Sequence, residues 1–227
     1  LYKVDWSSID SLVLSPGIPL NYPKPHSIVQ IAHESNVEII GDLELLARSE
    51  LNAPVIGITG TNGKSTTTAL VGHILTNANH NVEVGGNLGV PVLNLDNGIE
   101  VSRYVIEVSS FQLELIKSLV FDIAVLLNLS GDHLERHGGM RGYIEAKKRI
   151  FGPEGSQQII IICIDDANSM AIFEELKGSD RQVVGVSIKD KVDSGVYIKS
   201  DTLFDNFTER TQTVRDFANI SNLPGSH

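Results

Sequence analysis

The feature that most restricts what this chain can fold into is the stretch Thr59-Gly60-Thr61-Asn62-Gly63-Lys64-Ser65-Thr66. An apolar run at 55–58 precedes it, and a helical pattern over 65–77 follows it. Glycines in such a turn let backbone amides point inward at phosphate oxygens, and the helix start adds positive partial charge. Lys64 can then reach the outer phosphates, while Ser65 offers a hydroxyl to magnesium. Gly60, Thr61, Asn62, Gly63, Lys64, Ser65, Thr66 and Thr67 are therefore the expected phosphate cradle for ATP. The strict pattern has a glycine five positions before Gly63; here Ile58 stands there, between Gly57 and Gly60. The flanking strand and helix patterns outweigh that departure.

The rest of the chain follows the same plan. Short apolar runs at 12–14, 37–40, 55–58, 82–84, 104–108, 123–127, 159–164 and 183–188 read as strands. Several lack polar alternation, as strands covered on both faces do. Helices are expected at 27–34, 42–49, 65–77, 139–151 and 167–176, the last announced by the capping pair Asp165-Asp166. Strands alternating with helices imply an α/β fold with a mostly parallel sheet. Glu50-Leu51-Asn52-Ala53-Pro54 breaks the pattern. Residues 1–52 are thus read as part of a smaller Rossmann-like α/β domain, and 53–227 as a P-loop domain.

Composition excludes several functions. A formal charge of -10 argues against a nucleic-acid partner, whose phosphates call for Lys and Arg. No apolar run approaches the roughly 20 residues of a membrane-spanning helix. Cys163 is the single cysteine, so no internal disulfide forms and a cytoplasmic location is expected. The chain opens on Leu1 and closes on Leu223-Pro224-Gly225-Ser226-His227 in a loop pattern, so a piece of a longer protein is expected.

In open parallel sheets ligands bind beyond the carboxyl ends of the strands, which makes the residues there candidates. Tyr104-Val105-Ile106-Glu107 ends a strand with an acid, either a magnesium ligand or a solvent-facing glutamate. Ser109, Ser110 and Gln112 follow, lining the same crevice or capping a helix. After 123–127 come Asp132-His133 and Arg136-His137. His133 at a strand end can hold a metal or a substrate phosphate; His137 reads as a solvated loop residue. On a helical wheel of about 100° per residue, Tyr143, Ile144, Ala146, Ile150 and Phe151 form one apolar arc with Lys147 near its middle. That lysine either snorkels to the surface or is buried with an amine that can lose its proton. Asn87, in the flexible Gly85-Gly86-Asn87-Leu88-Gly89 loop, offers a donor and an acceptor. Ser15-Pro16-Gly17 is an anion-binding turn or a tight connection.

Taken in order, these loops resemble those of the Mur ligases, the cytosolic enzymes that build the peptide stem of bacterial cell-wall precursor. The form of the 59–66 loop is shared with folylpolyglutamate synthases and accounts for the missing glycine. Glu107-Val108-Ser109-Ser110-Phe111-Gln112-Leu113-Glu114 and Asp132-His133-Leu134-Glu135-Arg136-His137-Gly138 are most similar to the D-glutamate-adding branch. Ser15-Pro16-Gly17-Ile18 and Gly86-Asn87-Leu88-Gly89-Val90-Pro91 are similar to its substrate loops. The resemblance runs from about Leu12 to about Phe151 and resumes at Leu223-Pro224-Gly225, while 177–222 adds nothing specific.

The resemblance implies that ATP phosphorylates the carboxylate of UDP-N-acetylmuramoyl-L-alanine, after which the amine of D-glutamate attacks the acyl phosphate. It implies catalytic roles for Lys64, Glu107, His133 and Lys147. Ser65 and Glu107 would hold one Mg2+; His133 and a Lys147 carbamylated by carbon dioxide would hold a second. Asn87, Ser109, Gln112 and the Ser15-Pro16-Gly17 turn would contact the UDP-sugar. A monomer is expected. The family has three domains, so by the resemblance this chain is expected to lack the C-terminal ligase domain, part of the first domain and the adenine-contacting stretch expected just after His227. Such a piece is expected to be inactive alone. The alternatives are another ligase of the Mur or folylpolyglutamate-synthase type and a non-catalytic nucleotide-binding module.

Overall fold

The computed structural model describes residues 4–200, 202–208 and 213–216. The stretch 223–225, where the resemblance resumes, lies outside them. Two sheets form. In the smaller, β1 (Ser11–Val13) pairs in parallel with β2 (Glu38–Ile40), and α1 (Ser27–Glu34) packs on it through Val29 and Ala32. Helix α2 (Asp42–Arg48) follows.

The larger sheet grows around β3 (Val55–Thr59), every residue of which is buried. After β3 come α3 (Lys64–Asn77), β4 (Val82–Gly86), β5 (Arg103–Glu107), the one-turn α4 (Ser110–Leu113) and β6 (Ile123–Leu126). Then follow α5 (Leu134–His137), α6 (Met140–Lys148), β7 (Ile159–Cys163), α7 (Ala167–Leu176), β8 (Gln182–Ser187), β9 (Gly195–Lys199), β10 (Thr202–Asp205) and β11 (Thr213–Asp216). The strand order is β11-β10-β9-β8-β7-β6-β3-β5-β4. All pairs from β4 through β9 are parallel, while β10 runs antiparallel to both β9 and β11. The chain leaves β3 toward β5 and β4 on one side and crosses back to β6 on the other. That reversal opens a crevice beside the end of β3, the switch point where parallel sheets bind ligands.

Each strand expected from the sequence is present within a residue or two of its expected limits. Three corrections follow. The helix expected over 139–151 stops at Lys148, and Arg149–Phe151 tighten to a 3-10 turn ended by Gly152 at φ 54°. The stretch 177–222, which carried no specific signal, supplies β9, β10 and β11. The crevice loops contain two four-residue helices, α4 and α5, too short for the 3.6-residue period to reveal.

The two sheets are knitted together by exchange of side chains. Leu43 and Leu46 of α2 sit in the large core, whereas Leu115, just after α4, sits in the small one with Leu14, Val29 and Ile39. Each such burial contributes about 1.5–3 kcal/mol. A polar latch lies beside them: Glu44 accepts from the amides of Lys117 and Ser118 at 2.8 Å each, from the Ser118 hydroxyl at 2.7 Å and from Arg48 Nε at 3.0 Å. Burial alone would raise the Glu44 carboxyl, but these donors outweigh it and hold it at about 2. No described helix is long and apolar enough to cross a membrane.

Candidate active site

The end of β3 turns into α3 through Gly63, whose φ of 81° is left-handed and suits glycine. Gly63 has no side chain to cap the helix, so the first amides of α3 are left for an anion. Lys64 folds back over the turn and donates from Nζ to the carbonyls of Gly60 (3.1 Å) and Thr61 (2.9 Å). Ser65, Thr66 and Asn62 are exposed on the open side, and Thr67 is half-buried. The loop is zipped to the segment after β6. Asn62 N–H donates to Asn128 Oδ1 at 2.8 Å, and Asn128 Nδ2 donates back to the Asn62 carbonyl at 3.0 Å. Thr61 Oγ1 donates to the Ser130 carbonyl (3.0 Å), accepts from Ser130 N–H (3.1 Å) and meets Tyr143 Oη at 3.0 Å.

Lys147 is buried, only 2% exposed, as its place in the apolar arc of α6 requires. Its Nζ donates to the Gly60 carbonyl at 2.8 Å and to Thr59 Oγ1 at 3.2 Å, and lies 4.9 Å from the centre of the Tyr143 ring. Lys64 and Lys147 thus share one carbonyl, which puts their nitrogens within about 6 Å of each other, where like charges repel appreciably. Burial first, and the Lys64 charge second, bring the Lys147 amine down to about 7, with Asp132 pulling weakly the other way. Near neutral pH much of this amine is unprotonated.

Glu107 ends β5 directly beside Ile58 of β3 and is also 2% exposed. Its Oε1 accepts from Asn87 Nδ2 at 2.9 Å, and Asn87 N–H donates to the Glu107 carbonyl at 2.9 Å. Gly86 makes that approach possible, because a Cβ there would meet the Glu107 carbonyl oxygen. Thr59 Oγ1 donates to the Val108 carbonyl at 2.8 Å, so one threonine joins the acid's strand to the buried lysine.

The remaining candidates stand farther out. His133 is the left-handed residue that starts α5, with φ 49°. It is exposed, lies 3.5 Å from Asp132 and packs against the Phe111 ring. Among the described residues no hydrogen bond joins it to Lys64, Glu107 or Lys147. Ser109 and Gln112 form the capping box of α4, and Gln112 Nε2 reaches Asp42 Oδ2 at 3.1 Å. Their side chains are already engaged in holding the helix start. Ser15-Pro16-Gly17 forms a turn closed by Ile18 N–H to the Ser15 carbonyl, and Arg136 Nη2 reaches the Ile18 carbonyl at 2.7 Å. His137 is not solvated, as expected from the sequence, but buried. With Nδ1–H donating to Glu114 Oε1 (3.0 Å), its Nε2 accepts from the Ser110 hydroxyl (2.9 Å). It ties α5 to α4.

Sequence reasoning missed Thr59, Asn128 and Asp132 as members of the cluster. It placed Tyr143 only in the apolar arc, although Tyr143 lies one helical turn before Lys147 and therefore on the same face. Concavity alone would also mislead. A cleft of about 500 Å³ is lined by Tyr22, Glu114, His137, Glu145 and Arg149, none of which belongs to the phosphate loop. Convergence of polar groups marks the site better than volume does. For magnesium the donor set is apt: one hydroxyl (Ser65) and one carboxylate (Glu107) beside a phosphate loop suit an ion that keeps several waters. Among the described residues no three His, Cys, Asp or Glu side chains converge into an all-protein metal cage.

The parallel sheet, the glycine loop entering α3 and the acid on the neighbouring strand define a P-loop α/β protein. The family model for the Mur ligase middle domain matches residues 58–227, and the chain belongs to the Mur ligase family. It is 48% identical over 223 residues to a protein of Rhodospirillum rubrum named UDP-N-acetylmuramoylalanine--D-glutamate ligase, covering 98% of this chain and 47% of that one. A protein of the same name from Caulobacter vibrioides is 46% identical over 234 residues, covering 100% of this chain and 50% of that one. The chain therefore spans about half the length of the curated relatives it matches. Among solved structures, the MurF ligase of Thermotoga maritima in complex with ADP superimposes with a TM-score of 0.54 at 19% identity. It covers 90% of this chain and 57% of that one, a likeness of fold.

Proposed function

We propose that the protein to which this chain belongs is an ATP-dependent ligase that joins D-glutamate to UDP-N-acetylmuramoyl-L-alanine through an acyl phosphate. The reading divides the chain into a partial UDP-substrate domain, 1–52, and a nucleotide-binding domain, 53–227. One observation carries it: Lys64 and Lys147 converge on the Gly60 carbonyl while Glu107 ends the adjacent strand. The names of the relatives supply the substrates.

In this reading the free amides at the start of α3 and the Lys64 ammonium receive the ATP phosphates and offset charge on the transferring phosphoryl group. Ser65 and Glu107 would hold one Mg2+, and His133 with a carbamylated Lys147 a second; bound there, the ions would neutralise phosphate charge. The neutral fraction of Lys147 supports that modification. Its lone pair attacks the carbon of carbon dioxide, a C–O π pair moves onto oxygen, a proton leaves the nitrogen for solvent, and the amine, a cation when protonated, becomes a carbamate anion. Repulsion from Lys64 then becomes attraction. Asn87, which holds Glu107, would contact the UDP-sugar together with Ser109, Gln112 and the Ser15-Pro16-Gly17 turn. The enzyme would act as a monomer in the cytoplasm, with neither nucleic acid nor membrane as partner.

The test uses the full-length protein. Phosphate release should require ATP, UDP-N-acetylmuramoyl-L-alanine and D-glutamate together. Release with a folate and glutamate but not with the UDP-sugar would assign the site to the other branch. Lys64→Ala should abolish turnover with circular dichroism unchanged, and calorimetry should show weaker binding of magnesium-ATP. Unaltered affinity would contradict a phosphate-cradling role.

A further inference from the structure

The pair Asp165-Asp166 reads from sequence as a helix cap, and Asp166 does cap α7: its Oδ1 accepts from Asn168 N–H (3.0 Å) and Ser169 N–H (2.9 Å). Its second oxygen does something a cap does not need. Oδ2 accepts the backbone N–H of Leu129 at 3.0 Å, a residue 37 positions away, together with the Ser169 hydroxyl at 2.7 Å. Asn168, two residues on, completes the grip by donating from Nδ2 to the Leu129 carbonyl at 3.1 Å. Both backbone groups of Leu129 are thereby held by the start of α7, and the Leu129 side chain is buried in the large core.

Leu129 sits in the middle of the segment that the phosphate loop also grips. Asn128 exchanges hydrogen bonds with Asn62, and its carbonyl accepts from Thr61 N–H at 3.0 Å. Ser130 exchanges hydrogen bonds with Thr61 Oγ1. Three successive residues are therefore fixed, the outer two by the phosphate loop and the central one by α7. Asp132 and His133 follow at once. A short polar segment between two strand ends has no ladder of its own, so its conformation is set by these partners.

We infer that Asp166 and Asn168 are positioning residues that clamp the 128–133 segment, and through it fix the phosphate loop at Thr61 and the placement of His133. The inference rests on the ligase reading only for what the clamp serves. It explains why one carboxylate oxygen of Asp166 reaches beyond the helix it caps to the Leu129 amide. Neither residue touches the phosphate loop itself; they act through Leu129.

Asp166→Asn separates the two jobs. Asn caps helices about as well as Asp, so its oxygen retains the α7 amides, but its NH2 group faces Leu129 N–H and cannot accept from it. In the full-length protein, amide exchange at Leu129 and Ser130 should quicken roughly tenfold while α7 amides keep their protection. For ATP-dependent turnover kcat should fall roughly tenfold, with the KM for ATP within about twofold, because alignment rather than binding is lost. Unchanged exchange at Leu129, equal loosening throughout α7, or unchanged kcat would each overturn the clamp. Asn168→Ala, which removes the carbonyl bond and leaves the cap, gives the same readings if Asp166→Asn does not fold. A wild-type protein without ligase activity would sink the ligase reading alone. Amide exchange at Leu129 and Ser130 against that of α7 would then carry the test alone, with affinity for magnesium-ADP again within about twofold of wild type.

Discussion

Replacing Lys147 by Met should stabilise the fold, most strongly in acid, while ending turnover. The reasoning starts from the amine's descent from 10.5 to about 7, caused first by burial and then by Lys64. Protonating this nitrogen in the folded protein is therefore harder than in the unfolded chain, by about 5 kcal/mol at the limit. Below pH 7 both states carry the proton and the folded state bears the whole penalty. Between about 7 and 10.5 the unfolded chain still holds a proton that the folded one has released, so the penalty shrinks as pH rises. Above 10.5 it is gone. Met keeps the volume and apolar stem without a charge. The two acceptors it leaves are not orphaned, since Gly60 O keeps Lys64 and Thr59 Oγ1 still donates to Val108 O. Loss of the two lysine hydrogen bonds subtracts about 1–3 kcal/mol. A net gain of about 2–4 kcal/mol at pH 6, shrinking as pH rises and turning into a loss of about 1–3 kcal/mol above 10.5, is expected from urea unfolding in carbon-dioxide-free buffer. A difference that does not vary with pH, or a variant less stable than wild type at pH 6, would refute the argument.

Two further substitutions test the framework around the site. Glu44→Gln should lower stability at pH 7 by about 1–2 kcal/mol, since a carboxyl held at about 2 instead of 4.5 is worth about 3 kcal/mol before screening around the half-exposed Arg48 is discounted. The folded value is depressed, so the wild-type advantage is complete above 4.5 and is lost as pH falls toward 2; a gap that stays constant on acidification in a denaturation series contradicts it. Gly86→Ala should cost roughly 2 kcal/mol or more and cut turnover, because its Cβ would run into the Glu107 carbonyl and its φ of 123° strains any other residue. Full activity in that variant would mean that Glu107 need not be held where it is.

The parts that were legible in the sequence are those encoded within one element. Strands such as 123–127 and 159–164 declare themselves by unbroken apolar residues, because a parallel strand buries both faces. The place of Lys147 in the apolar arc of its helix was legible by arithmetic alone, since a helix fixes which residues share a face; whether its amine is buried or snorkels was not. What escaped depends on partners far along the chain. His137 looked solvated because nothing near it in sequence announces Ser110, 27 residues earlier. Asp166 looked like a cap because it is one; its grip on Leu129 is a tertiary fact with no local trace. Strands β9 to β11 escaped for another reason. Beyond the parallel β8–β9 pair the ladder turns antiparallel at β10, whose residues are only half-buried, so the apolar pattern thins there.

The energetics of the site and of its supports pull in opposite directions, and the arrangement follows from that opposition. Two lysines on one carbonyl and a buried glutamate tied to an asparagine are not what a stable core would choose; they make sense where anions are to be received. The compensation lies one layer away. Glu44 with Lys117 and Ser118, Asp166 with Leu129, and His137 with Ser110 and Glu114 each satisfy a buried or half-buried polar group with several partners. Each also braces elements that line or flank the crevice. If the strain at Lys147 were instead spread evenly through the sheet, its removal would loosen the site along with relieving it. Because strain and support occupy separate residues, a single substitution at Lys147 can raise stability and end chemistry at once, which is the behaviour expected of a site held in place by its surroundings.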